Sequence, residues 1–152
     1  MAFNIKASLR AVESHLLSGG YFGSDVRIGE PKSPPEALLS AAIFMGDVSV
    51  VQLTVAGNTI ERHTVFIRIY ENAFNEPEED IELTLADVTS RVMASLVGEY
   101  DLGATIRNVD VGGQHGEPLR ASWGYETVGG KVYRLVDILL GLIVDDSATA
   151  AA

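Results

Sequence analysis

The chain contains no cysteine, which removes disulfides, thiolate metal sites and cysteine nucleophiles together and leaves the redox compartment unmarked. Basic residues are scarce, with 11 Lys and Arg against 21 Asp and Glu and a formal charge of −10. That balance opposes attraction to phosphate backbones or anionic lipid by any generic electrostatic route, so a DNA-clamping role is disfavoured. Long apolar runs are missing as well. The most apolar stretch, Ile138 to Val144, is bracketed by Asp137 and Asp145 and falls far short of the ~20 residues of a membrane helix. Met1 to Arg10 mixes charged with apolar residues and has no signal-peptide core, so the expectation is a soluble chain made in the cytosol. The three histidines, His15, His63 and His115, form no HExxH or i,i+4 pair, and no GK[ST] follows the glycines at 19, 20 and 23. No metal site, nucleotide pocket or other cofactor is therefore expected. The acidic run Glu76, Glu78, Glu79 and Asp80 lacks the alternating ligands and central glycine of a calcium loop and reads as compensation of a helix dipole.

What remains is the composition of an ordinary globular protein: 152 residues, 47% hydrophobic and 21% charged. The expectation is one domain over 1–144 with one core. Residues 145–152 carry too few apolar groups to pack and are expected to form a flexible tail.

Asn4 is placed to cap a helix, and Ile5, Leu9, Val12 and Leu16 follow on one stripe that Ser18-Gly19-Gly20 ends, predicting a helix over roughly 5–18. Val26 and Ile28 alternate as in a short strand, and the three prolines between Glu30 and Pro35 favour a stiff loop. The runs 38–45 and 48–55 read as two strands of a hairpin turned by Gly46-Asp47, with a second turn at Gly57-Asn58-Thr59. In Thr64 to Tyr70, Val65, Ile67 and Ile69 share one face and Phe66, Arg68 and Tyr70 the other. Asn75 to Asp80 opens a second helix with a capping side chain, a proline and acidic groups, and Ile81, Leu85, Val88, Val92 and Leu96 form its apolar stripe up to Gly98. Three β-like runs follow at 105–111, 121–128 and 131–144. Gly129-Gly130 turns between the last two, and Gly112 to Glu117 reads as a flexible connection. This order predicts an α+β fold, a largely antiparallel or mixed sheet with two helices packed on one face.

The last run is apolar on both sides. Val136, Ile138, Leu140 and Leu142 alternate with Leu135, Leu139 and Ile143, and a strand of that kind needs cover on both faces. Either the remaining strands curl over the second face or a neighbouring subunit does. Arg68, Arg107 and Arg134 lie inside β-runs and call for carboxylate partners, within the chain or across a subunit boundary. Arg68, Arg107, Arg134, Ile138, Leu140 and Leu142 are thus candidates for a subunit interface. A different class of function, a small cytosolic enzyme or a ligand-binding module, would place its site near His63 and Arg68.

Taken together, the leading helix, the segment Val26 to Pro35, the run Glu61 to Tyr70, the acidic-capped helix, Leu102 to Asp110, and Trp123-Gly-Tyr125 ahead of Tyr133 to Asp137 resemble the tail terminator, or tail completion, proteins of siphovirus-like long-tailed bacteriophages. The likeness spans about residues 3–145. It implies a structural, non-enzymatic subunit of a six-membered ring that caps the tail tube and stops its polymerisation. It also implies a joint to the head connector, in a virion assembled in the host cytoplasm. The implied partners are further copies of the chain, the tail tube protein and the connector, with DNA passing through the lumen without specific binding and no membrane. Gly57, Asn58 and Thr59 are the loop expected to face the tube or the connector.

Overall fold

Apolar residues three and four apart in two segments, and two apart in the others, divide the described residues into two helices and six strands. A computed structural model describes residues 4–30, 39–53, 57–72, 77–103 and 106–149. The proline loop from Pro31, the Asn75 and Glu76 of the helix start, and residues 150–152 lie outside the described residues. The first helix, α1 (Ile5–Gly19), buries Ser8, Ala11, Val12 and Leu16 and ends at Gly20, whose φ of 72° closes it on Leu17 O. Asn4 makes no capping bond from its side chain. β1 (Val26–Ile28) is short; β2 (Leu39–Leu53) and β3 (Asn58–Asn72) are long. The second helix, α2 (Glu78–Gly98), starts after Pro77, carries Glu78, Glu79 and Asp80 in its first turn, and buries Ile81, Leu85, Val88, Thr89, Val92 and Leu96. β4 (Asn108–Val109), β5 (Arg120–Val128) and β6 (Lys131–Thr149) complete the chain.

All six strands join one sheet in the order β1-β2-β3-β6, with β4 and β5 both on the far edge of β6. Only β1 and β2 run parallel, so the fold is α+β with a largely antiparallel sheet. Both helices lie on one face. Val12, Leu16, Leu85, Val92 and Leu96 meet Ile43, Val65, Ile67, Ile69, Val136, Ile138, Leu140 and Leu142 in the main core, each fully buried side chain contributing about 1.5–3 kcal/mol.

Three elements differ from the sequence reading, the first being the run at 105–111, which among the described residues is a strand only at Asn108–Val109. The runs on either side of Gly46-Asp47 form one strand, not a hairpin; the register against β3 slips between Met45 and Val48, the mark of a β-bulge. Gly46 does not take the positive φ of a tight hairpin turn. It is there because the Phe66 ring passes close by, 2.7 Å from where a Cβ would stand. At the other end, β6 does not stop at Val144. Its backbone continues to Thr149, paired with Asn58 of β3, because β3 extends beyond the predicted end of its partner and its backbone groups are met there. At Gly129 and Gly130 both φ values are positive, 57° and 81°, as a two-residue hairpin requires.

Candidate functional site

His63 and Arg68 do not converge. They sit five residues apart on β3, on opposite faces, since successive strand residues alternate. His63 points beneath α1. Its Nδ1 is 2.7 Å from Ser8 Oγ and its Nε2 is 3.2 Å from Glu61 Oε1, and Thr59 Oγ1 donates to the other Glu61 oxygen. This Ser-His-Glu chain has the residue types of a hydrolytic triad with the two ring nitrogens exchanged, the serine on Nδ1 and the carboxylate on Nε2. Ser8 is 2% exposed and His63 and Glu61 are fully covered, so no reactant reaches the serine. The arrangement works as a polar staple fixing α1 on the sheet, each member satisfying a neighbour that burial would otherwise leave unpaired.

The face away from the helices explains what covers β6. Near its start, Tyr133 packs edge-on against Tyr70 with Ala42, Val128 and Leu135. In the middle, Arg68 lies across Asp137 as a bidentate pair at 2.6 and 2.9 Å, reaches Glu126 and Glu30, and stands over the Phe44 ring. The hydrogen bonds to Asp137 raise the Arg68 pKa further above its ordinary value, against the opposing effect of burial. Burial pushes the neighbouring Tyr70 hydroxyl up to about 12, with Arg68 pulling the other way.

Toward the end of β6 the cover is Arg62 and the loop that follows Val109. The guanidinium lies between Gly141 and Gly116, where a Cβ on either would collide with it. It donates to Asp110, to Thr64 Oγ1 and to the Glu117 carbonyl. Asp110 in turn accepts the amides of Gln114 and His115. Burial pushes the Asp110 carboxyl up, but those amides and Arg62 prevail and hold it below its usual value. Hence the glycine-rich stretch read as a flexible connection is tied to two buried charges, at its middle to Asp110 and at its end to Arg62. Between this loop and the β2 bulge opens a cleft of about 570 Å³, lined among others by Arg62, Arg120, His115, Asp47 and Phe66.

From Tyr133 to Val144 both faces of β6 are therefore enclosed by the chain itself, through side chains and one loop. No second layer of strands is present among the described residues, and this strand needs no subunit to shield it. Ile138, Leu140 and Leu142 are fully buried in the helix-side core and are not interface residues in this fold. The three arginines bond within the chain: Arg68 as above, Arg107 to Asp145 at 3.3 Å, and Arg134 to Glu82 of α2. Of the expected loop, Gly57 takes a φ of 85°, but Asn58 and Thr59 belong to β3, and Thr59 is buried against Glu61.

What the surface does present is sheet edge. β1 covers β2 only at Ala41–Ile43; from Phe44 to Leu53 the outer edge of β2 has no partner among the described residues. This run carries one charge, Asp47, and leaves Val50 and Leu53 52% and 64% exposed. Among the described residues β5 likewise pairs only with β6, and exposes Trp123 and Tyr125 to 43% and 68%, with the Arg134 guanidinium under the Tyr125 ring at 4.5 Å. The sequence reading took both runs as strands and named neither as an open edge. The available signal was an uncharged run, Val48 to Leu53, free of the lysines and prolines that usually protect an edge.

His15 stands apart, where the C-terminal ends of both helices meet. It bonds Ser95 Oγ at 2.9 Å, and partial burial lowers its pKa against the pull of Glu99. No three His, Asp or Glu side chains are grouped to hold a metal among the described residues, and no described helix is long and apolar enough to cross a membrane. Compared with known proteins, the chain matches no family model and no curated protein.

Proposed function

We propose that this chain is the subunit of a ring that caps a phage tail tube, ends its polymerisation and forms the joint to the head connector. The observation that carries the reading is a single sheet left open, among the described residues, along two unlike edges, β2 beyond Ile43 and β5, each with exposed apolar side chains. Two unlike, unprotected edges on one molecule suit heterologous contacts, and such contacts close into a ring when the rotation allows. The resemblance over residues 3–145 supplies the identity of the ring. Charge agrees with it: six copies at −10 each carry about −60, and an acidic lumen lets DNA pass without holding it.

The test is to add the purified chain to the tube protein of the same phage as tubes polymerise. Tubes are expected to stop growing, with ring-shaped density at one end. Tubes that lengthen unchecked and carry nothing at their ends overturn the proposal.

A further inference from the structure

We infer that the free edge of β2, Phe44–Leu53, is completed by β5 of a second copy of this chain, joined antiparallel, with Trp123 and Tyr125 of one copy beside Val50 and Leu53 of the next. The inference rests on the ring reading above and names its contact. An open strand edge presents a row of amides and carbonyls that only another strand satisfies along its length. Among the described residues the outer sides of β1 and β4 are three and two residues long, and the spare strand edge of matching length is the outer side of β5, nine residues long.

Direction follows from the sheet order. β2 and β3, β3 and β6, and β6 and β5 are each antiparallel, so β5 runs opposite to β2. A rotation that carries the sheet from one copy into the next therefore sets β5 and the neighbouring β2 antiparallel. Faces match as well. Trp123 and Tyr125 are level with Val136 and Arg134, on the helix side of the sheet; Val50 lies opposite Glu61 and Leu53 opposite Thr59, also on the helix side. The exposed apolar groups of both edges thus fall in the same layer, as cross-strand neighbours must to interact.

Height follows too. Phe44, Phe66, Leu139 and Arg120 form one row across the sheet. The open part of β2 runs from that row in one direction, and β5 extends from it in the other. Copies joined through these edges are consequently staggered along the strands, and a closed sheet requires its strands to be staggered and tilted.

The absence of cysteine gives a clean test. Val50→Cys and Trp123→Cys are both exposed positions, and the variants are treated with a short cysteine-to-cysteine cross-linker, alone and on tube ends. The double variant is expected to give a ladder of covalent oligomers ending at a closed product, and an equal mixture of the two single variants to give dimers. Each single variant alone is expected to give neither. Dimers from Val50→Cys alone mean that like edges meet, and overturn the inference. Rings that form with no cross-linked product overturn it also, while leaving the ring reading intact. If unmodified protein forms no rings even on tube ends, the ring reading fails, and the edge contact falls with it.

Discussion

Replacing Gly141 by alanine should disable the clamp on the far face of β6, although the added methyl is small and the site is a regular strand. Gly141 does not take a positive φ, so the backbone accepts alanine without strain. The new Cβ, however, stands 2.6 Å from Arg62 Cζ, and the guanidinium has to leave. Its departure breaks the 3.3 Å pair with Asp110 and the bonds to Thr64 and the Glu117 carbonyl, and Asp110 stays buried without its cation. Removing one partner of a buried pair costs about 3–5 kcal/mol. At about 2–4 °C per kcal/mol for a chain of this size, Tm should fall by roughly 6–20 °C. Thermal melts of four proteins, wild type, Gly141→Ala, Arg62→Met and the double variant, test the cause. Once Arg62 is gone, alanine at 141 should cost less than about 1 kcal/mol, because the group it displaces is absent. Hydrogen exchange at Gln114 and His115, whose amides Asp110 accepts, should quicken in the single variant. Equal costs of Gly141→Ala in both backgrounds, or a cost below about 0.5 kcal/mol, would show that the substitution does not act by displacing Arg62.

Ser8→Ala leaves a ring nitrogen of the buried His63 without its partner and should cost about 1–3 kcal/mol in urea unfolding; an unchanged midpoint would show that the staple contributes nothing. Acid should act through Asp110. Its folded pKa lies below the unfolded value of 3.8, so its contribution is complete above that value and is lost as pH falls through the folded pKa; unfolding of Asp110→Asn should lack this part of the acid loss. His15 follows the same sign, because burial lowers its folded pKa below 6.5. Its contribution is complete above pH 6.5 and declines as pH falls toward the folded pKa, and a His15→Gln variant should lose that slope.

The parts of the fold legible in the sequence are those whose signal is local. The stripe Val12 and Leu16 on α1, the longer one from Ile81 to Leu96 on α2, and the alternation of Val65, Ile67 and Ile69 each declare a buried face within a few residues. Gly46-Asp47 misled because a bulge and a hairpin share their residues. The Phe66 ring that decides between them is twenty positions away. The cover on β6 was illegible for a related reason. Arg62 finds Asp110 48 residues on and Arg68 finds Asp137 69 residues on, and no local pattern announces that a charged pair will seal an apolar strand. The burial of Ile138, Leu140 and Leu142 was illegible with it: a residue that is apolar by sequence, such as Leu140, serves a core or a partner equally well until its neighbours are placed. The edges themselves were half legible, in the uncharged run from Val48, but whether a strand is interior or terminal in a sheet is a property of its partners.

The most direct measurement of assembly is the mass and symmetry of the protein at tube ends, by electron microscopy of single particles with the mass of the bound cap determined in parallel. A six-fold ring of six copies at 16.3 kDa each, about 98 kDa, is expected, in which the sheet runs unbroken from one subunit to the next. Isolated subunits at the tube end, or a ring whose β2 and β5 edges face solvent, would contradict it.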